Sequence, residues 1–255
     1  MVAIATIGDM VPLVGESRTL TRYGLTVLNK TRNFGLQQLF IVAGMADENG
    51  NPKHGAYDAE TVGFQIVPRL NAAGRMDHAN TAYALLMAED EKEASKLAEK
   101  LNKNNIDRQK LTEKLMNQAQ KQIIEEKQMD NPIIFVFGED WPTGVLGLVS
   151  GRLKDQFNKP AIAMGMGKGT IFGSGRSISA FNMIAGLQSM PQFFEKFGGH
   201  PQACGFNLLD KKMLEDFKKT LTELVATQTK NIVMEPEILV DAEVNLEDVD
   251  WKLYD

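Results

Sequence analysis

Residues 133–137 read Ile-Ile-Phe-Val-Phe, an uncharged run of residues that favour β-structure. A run of this length is typical of a strand that is buried on both faces of a sheet. The sequence that follows predicts a helix over residues 144–157 and two strands, 161–164 and 170–172, joined by a glycine-rich turn. It ends with a helix over residues 214–224 that has an apolar stripe. These elements together predict an α/β domain over residues 131–230.

The sequence before this domain predicts a long helical connector. No Gly or Pro occurs between Arg75 and Asn131, and the stretch is rich in Ala, Leu, Lys, Glu and Gln, which are good helix formers. Apolar residues recur at helical spacing before and after the pair Asn104-Asn105, which predicts a break between two helices at that pair. A stretch of this length between two mixed regions predicts a connector over residues 81–130.

The two ends of the chain have their own patterns. Residues 1–80 mix apolar runs with glycine turns, and the runs 1–7 and 39–42 predict buried strands. The polar stretch 47–54 predicts a loop. From Glu237 the sequence predicts the beginning of a strand and a helix that are too short to bury a core, so we expect them to start a further domain.

The composition is that of an ordinary globular protein, with 43% hydrophobic and 24% charged residues among 255. The single cysteine, Cys204, excludes an internal disulfide and a cysteine zinc site, so a reducing compartment and a cytoplasmic location are expected. No apolar run approaches the ~20 residues that span a bilayer. The net charge of −5 argues against a polybasic binder but allows a nucleic-acid enzyme with a few grouped arginines.

Asp9 follows the first apolar run directly. If that run is a parallel strand, its carboxyl end is where open α/β sheets place functional groups, and a carboxylate there can hold a divalent cation. The alternative, which spacing alone favours, is an aspartate that caps the following turn.

Arg69, Asn71 and Arg75 lie in the segment Pro68–Arg75, which otherwise consists mostly of small residues. Small residues let a ligand approach the backbone, and the fork of an arginine matches the geometry of a phosphate. A pair of structural salt bridges explains the same residues equally well.

Gly173–Ser177, which contains Ser174, Arg176 and Ser177, is predicted to end a strand and precede a helix. Backbone N–H groups point outward at such a junction, so the glycines, hydroxyls and guanidinium favour an anion site over a simple capped turn.

A further candidate is His200, which Gly198 and Gly199 precede. Paired glycines admit a ligand and leave the imidazole accessible, although a lone histidine is more often structural.

In this order, the segments Ala5–Leu13, Pro68–Arg75, Gly173–Ser177 and Gly198–Gly205 resemble the RecJ family of single-strand-specific DNA exonucleases in the DHH phosphoesterase superfamily. Each segment alone is a weak signal, whereas the ordered set around a helical connector is specific. The resemblance implies the end of a DHH catalytic domain (1–80), a connecting helix (81–130), a DHHA1 substrate-binding domain (131–230) and the start of an OB-fold (236–255).

The resemblance also implies functional roles. Asp9 matches a metal-ligand aspartate, and the arginine, serine, glycine and histidine segments match motifs that bind the DNA backbone and its terminal phosphate. The implied reaction is 5′-to-3′ exonuclease release of nucleotides from single-stranded DNA with two Mg²⁺ or Mn²⁺ ions, in DNA repair and recombination. A single-strand-binding protein or a helicase is the implied protein partner, and no membrane is involved.

The chain departs from the family pattern in three ways. The Asp-His-His motif and the upstream aspartates are absent, and Trp141–Gly144 lacks a histidine often found there. One carboxylate cannot hold two metal ions, so an N-terminally truncated fragment with little or no nuclease activity of its own is expected. The alternatives are a non-catalytic DNA- or partner-binding module and a DHH phosphodiesterase that acts on short oligonucleotides or cyclic dinucleotides, although the long connector argues against the latter.

Overall fold

The computed structural model describes residues 1–230, 232, 238 and 240–254. The first part of the chain is helical, with helices α1 (Val2–Gly8), α2 (Gly15–Leu28), α3 (Phe34–Val42), α4 (Ala59–Thr61), a π-helical turn (Val62–Ile66), α5 (Val67–Met76) and α6 (Asn80–Met87). The strands predicted at 1–7 and 39–42 are therefore wrong, since these runs form α1 and α3. In α3, Leu36, Leu39 and Phe40 are buried at helical spacing, which a short apolar run does not reveal by itself.

Helix α7 (Glu91–Glu125) is a single helix of 35 residues, about 52 Å long at 1.5 Å per residue. The predicted break at Asn104-Asn105 is wrong. The intrinsic penalty for asparagine in a helix is small and packing overrides it, because Asn105 is buried and accepts a hydrogen bond from Arg108. The helix packs into the first core with Ala94, Ala98 and Leu101 and into a second core with Leu115, Ala119 and Ile123.

The second part of the chain is built on a five-stranded sheet. Its strands are β1 (Ile134–Gly138), β2 (Ala161–Gly167), β3 (Thr170–Arg176), β4 (Phe194–His200) and β5 (Ala203–Leu208), in the order β1-β2-β3-β5-β4. Helix α8 (Thr143–Phe157) joins the parallel pair β1 and β2, and the other pairs are antiparallel. The predicted strands at 133–137, 161–164 and 170–172 and the helix at 144–157 are confirmed, as is the mixed α/β class.

Strand β3 extends further than the sequence indicates. Residues 173–176 pair with both β2 and β5, and the strand ends at Arg176 ahead of the next helix (Met183–Gln188), so the prediction that this segment ends a strand and precedes a helix is confirmed, whereas the expected outward direction of its N–H groups is wrong. The backbone N–H groups of this segment belong to the sheet instead of pointing outward. Any anion site there must be built from side chains.

Each face of the sheet is covered differently. Helices α7 and α8 pack on one face, against β1, β2 and β3. Helices α9 (Met183–Gln188) and α10 (Leu214–Thr229) cover the other face, where Phe194, Phe206 and Phe217 pack with ring centroids 5.2–5.4 Å apart. Because α8 does not extend over β5 and β4, the α8 side of these two strands stays open.

The predicted OB-fold begins at residues 236 and 237, which lie outside the described residues. Within 240–254, the structure has a 3-10 turn (Leu246–Asp248) and a helical turn, α11 (Trp251–Tyr254), and no strand. Within the described part of the chain, every helix is too short or too polar to cross a membrane.

Candidate nucleic-acid interface

Arg176 and Ser174 lie on the α8 side of β3. Alternation along the strand places Gly173 and Gly175 against Phe206 and Cys204 on the opposite side, so residues 174 and 176 face α8. The Nη1 of Arg176 donates to the Ser174 Oγ at 3.2 Å and to the Gly175 carbonyl at 2.9 Å. The guanidinium passes over Gly147 of α8, where the missing side chain leaves room for it.

Arg75, on helix α5 in the first part of the chain, also contacts helix α8. It lies in the last turn of α5, and its Nη1 donates to the Gly144 carbonyl in the first turn of α8 at 3.2 Å. Burial, and then the positive charge of Arg176, lower the pKa of the Arg75 guanidinium below its ordinary value. The structure therefore brings together two of the segments identified in the sequence.

These arginines do not form the salt bridges that the alternative interpretation requires. Among the described residues, no ion pair involves Arg69, Arg75 or Arg176. Their hydrogen bonds go to carbonyl, hydroxyl and amide oxygens, which leave the positive charge uncompensated. Grouped guanidinium ions of this kind favour an anionic ligand.

The glycine–histidine segment lies on the same side of the sheet. Ala203 of β5 pairs with both Arg176 and His200, and Gly205 pairs with both Ser174 and Gly198. With strands about 4.8 Å apart, His200 lies roughly 10 Å from Arg176 across the sheet. Gly198, Gly199 and His200 are all exposed.

The surface between Arg176 and His200 is open because its residues are small. A Cβ at position 198 would have no atom within 4 Å, so glycine there leaves space rather than relieving a clash. An adjoining cleft of about 320 Å³ is lined by Thr143 at the start of α8 and by Phe172, Gly198 and Gly205. We call this surface, formed by Gly198, Ala203 and Gly205, the glycine shelf.

Arg69 faces helix α7 rather than the shelf. Its Nε donates to the Asn102 Oδ1 at 3.0 Å and its Nη1 to the Gln65 carbonyl at 2.7 Å. Burial lowers the pKa of its guanidinium. Two of the Arg69 donors therefore already have partners within the protein.

Two arginines of this region were not predicted from the sequence. Burial lowers the pKa of Arg108 on α7, and the nearby charges of Arg75, Arg152 and Arg69 lower it further. Arg152 is exposed on α8. For Arg108, the sequence did contain a signal: the apolar residues that recur at helical spacing along the connector are interrupted by a polar stretch between Leu101 and Leu111.

Asp9 does not end a strand but is the C-cap residue of α1, and it is exposed. It lines a cleft of about 420 Å³ together with Asn71 and mainly apolar residues. Asn71 and Arg75 are four residues apart on α5 and so share one face of that helix. Helix α5 thus connects the Asp9 cleft with the arginines, about 6 Å further along its axis.

Ser177 does not join the other predicted residues. It is buried on the opposite side of the sheet, and its Oγ donates to the Phe181 carbonyl at 2.6 Å. Since its hydroxyl already has a partner, Ser177 stabilises the loop before α9. Its predicted role as a phosphate ligand does not fit this geometry.

Comparisons with known proteins show which domains and chains are similar to this one. Residues 130–227 match the family model of the DHHA1 domain. Relatives include the single-stranded-DNA-specific exonucleases RecJ of Bacillus subtilis, 37% identical over 248 residues, and of Salmonella typhimurium, 32% identical over 252 residues. These alignments cover 96% and 94% of the chain but 30% and 42% of the two relatives.

The solved structures that resemble the chain are RecJ from Thermus thermophilus with Mg²⁺ (TM-score 0.75, 28% identity) and an exonuclease RecJ bound to manganese (TM-score 0.73, 27% identity). The alignments cover 88% and 91% of the chain and 33% and 56% of those chains. The part of the chain that matches the DHHA1 domain, residues 130–227, contains the whole five-stranded sheet. Across nearly its whole length, the chain resembles the corresponding part of the RecJ exonucleases.

Proposed function

We propose that this chain binds the sugar–phosphate backbone of single-stranded DNA and serves as the substrate-binding part of a 5′-to-3′ exonuclease. The observation that carries the proposal is the meeting of Arg75, Arg176 and Ser174 beside the open glycine shelf, with no carboxylate paired to either arginine among the described residues. A phosphate offers the charge and the acceptor oxygens that this arrangement lacks.

The geometry favours backbone contacts over base reading. Guanidinium and hydroxyl donors that bind phosphate carry no sequence information, and they fix the position of the strand. Gly198, Ala203 and Gly205 lack long side chains that could read a base edge. Binding is therefore expected to be insensitive to base sequence and strongly dependent on salt.

The reaction proposed for the complete exonuclease is hydrolysis of the phosphodiester bond with Mg²⁺ or Mn²⁺, in keeping with the metals in the similar RecJ structures. Asp9 is the proposed ligand in this chain. Its cleft does not fit two such ions by itself, because no group of three or more His, Cys, Asp or Glu side chains is placed to hold a metal within the described residues. A hydrolytic centre would need further ligands, so we assign this chain the binding step alone.

The proposal also places the protein in the cytoplasm, in DNA repair and recombination, with a single-strand-binding protein or a helicase as partner. The role and the partners rest on the similarity to RecJ, and the location rests on the single cysteine.

Fluorescence anisotropy on labelled single-stranded DNA across a salt series tests the proposed function. Arg176→Ala should weaken binding equally on all base sequences. The slope of the logarithm of the binding constant against the logarithm of the salt concentration should become shallower by about 0.7, the value for one lost phosphate contact on a single strand. Lys219→Ala is the matched control, because it removes one exposed positive charge from α10 on the other side of the sheet.

The thermal melt separates binding from folding. A partly exposed arginine without an ion pair contributes little to stability, so Arg176→Ala should melt close to the wild-type temperature. An unchanged salt slope with a lowered melting temperature would show a structural role and refute the phosphate contact. Failure of the wild-type chain to bind single-stranded DNA would refute the proposed function as a whole.

A further inference from the structure

The middle of helix α7 is polar where its two ends are apolar. Between Leu101, in the first core, and Leu115, in the second, the inward side carries Asn105, Arg108 and Thr112. Asn105 and Thr112 are buried. Burying polar side chains costs free energy unless they are hydrogen-bonded, and both of these residues bond to Arg108: Asn105 accepts from its guanidinium, and the Thr112 Oγ1 donates to its carbonyl.

Two donors in this segment have no acceptor among the described residues. The Nη2 of Arg108 donates to the Asn105 Oδ1 at 2.9 Å, while its Nε is buried and no described residue accepts from it. The Nδ2 of Asn104, one turn earlier on the same face, is also buried without a partner. An unsatisfied buried donor is costly, and most of all when it is charged.

Three other arginines lie on the helices that pack around Arg108. Arg69 comes from α5, which packs along α7 and is joined to it by the Arg69–Asn102 hydrogen bond. Arg75 lies at the end of α5, and Arg152 lies on α8, which also packs on α7. Burial, and then the charges of these three arginines, lower the pKa of Arg108. No carboxylate of the described residues forms an ion pair with Arg108, so an acceptor anion is missing.

We propose that Arg108, assisted by Asn104, forms a second phosphate-binding site on α7, which holds a different nucleotide of the same single strand from the one bound by Arg75 and Arg176. Gly144, beside Arg75, and Arg152 are eight residues apart on α8, a distance of about 12 Å along the helix axis. Arg75 and Arg152 are therefore far enough apart along α8 for more than one phosphate to bind beside this helix. The inference rests on the proposed function and extends it to the connector.

The test uses 5′-phosphorylated oligothymidylates of one to eight nucleotides, with binding measured for the complete 255-residue chain. Arg176→Ala should weaken binding at every length. Arg108→Ala should leave one nucleotide unaffected and weaken the longer strands about tenfold at low salt, since a single charge-assisted contact is lost. Lys110→Ala, which removes an exposed charge from the same helix, should bind like the wild type at every length.

Thermal melts accompany the titrations, and Arg108→Gln replaces Arg108→Ala if the latter does not fold. Glutamine keeps a polar side chain beside Asn105 but removes the charge, so the same dependence on length is expected.

The outcomes distinguish the two proposals. If the wild-type chain binds none of the oligonucleotides, the proposed function fails. If Arg176→Ala weakens binding but both Arg108 variants behave like Lys110→Ala at every length, the second site is refuted and the proposed function stands. Equal weakening of one nucleotide and of the octamer by Arg108 variants would also refute a separate site, because Arg108 would then belong to the first one.

Discussion

Gly147 of α8 lies directly beneath the guanidinium of Arg176. A Cβ at position 147 would come within 2.9 Å of the Arg176 Nη2 and 3.2 Å of the Ser174 Oγ. Glycine in a helix interior costs about 1 kcal/mol relative to alanine. A glycine here instead lets the helix approach the strand closely enough for the arginine to be held between them.

Gly147→Ala should therefore separate stability from binding. The added methyl group displaces the guanidinium, so affinity for single-stranded DNA should fall several-fold. The melting temperature should stay level or rise, because alanine favours the helix by up to about 1 kcal/mol. Anisotropy and a thermal melt on the same variant measure both effects.

Gly151→Ala is the control for this substitution. It adds the same methyl group one turn later, where the nearest neighbouring atom is the Arg176 Cγ at 4.0 Å, an ordinary contact. It should stabilise the helix without loss of affinity. Equal affinities for the two variants would show that the position of Arg176 over Gly147 is irrelevant to binding.

The two neighbouring glycines of β4 should respond differently to alanine. Gly199 has a φ of +149°, and a Cβ there would lie 2.2 Å from the Ala203 carbonyl, whereas a Cβ at Gly198 meets nothing within 4 Å. Gly199→Ala should destabilise the domain by about 1–3 kcal/mol. Gly198→Ala should fold normally and lower DNA affinity, because the methyl group projects into the glycine shelf.

Chemical denaturation and anisotropy test this pair. A Gly198→Ala variant with unchanged affinity would show that the strand does not cross the shelf at this point. A Gly199→Ala variant as stable as the wild type would contradict the steric argument for that position.

The strands of the sheet could be predicted from the sequence more accurately than the helices of the first part of the chain. The run at 133–137 and the glycine-rich turn after residue 164 have strong local signals, and β1, β2 and α8 follow them closely. The runs at 1–7 and 39–42 are too short for the helical and strand periods to differ, so tertiary packing decided their structure. Asn104-Asn105 did not end a helix because the cores at both ends of α7 hold it together.

For the site, the sequence indicated the segments but not their arrangement. Arg75 and Arg176 were both identified, yet only the packing of α5 against α8 shows that they adjoin. The sequence predicts Ser177 as a second hydroxyl beside Arg176, whereas its Oγ donates to the Phe181 carbonyl on the other side of the sheet. Arg108 belongs to no recognised motif, so its role depends on the neighbours that the fold provides.

Cys204 should be unreactive in the folded protein. Burial raises the pKa of its thiol from 9.0 to about 11, against smaller opposing effects of Gly175 and Arg176. Since the thiolate is the reactive form, a disulfide reagent at about pH 8 should modify the native chain slowly and the denatured chain rapidly. Rapid modification without denaturant would contradict the burial of this residue.

The raised pKa of the Cys204 thiol also makes the stability of the fold depend on pH. A thiol whose pKa is raised on folding contributes stability below its unfolded pKa of 9.0, and that contribution is lost as the pH rises towards about 11. The difference in melting temperature between the wild type and Cys204→Ala should therefore shrink between pH 9.0 and about pH 11. Other groups that titrate in this window are common to both proteins and cancel in the difference.

DNA binding by this chain should not require a divalent metal. The proposed phosphate contacts come from Arg75, Arg176 and Ser174, and the described residues provide no group of three ligands for a metal. Anisotropy in EDTA and in Mg²⁺ at matched ionic strength should give affinities within about twofold, and Asp9→Asn should bind like the wild type.

Hydrolysis of 5′-labelled single-stranded DNA by this chain should be negligible with either Mg²⁺ or Mn²⁺, because one carboxylate cannot position two ions. Robust turnover that Asp9→Asn abolishes would show that a working metal centre forms at Asp9, and the assignment of this chain to the binding step alone would then be wrong.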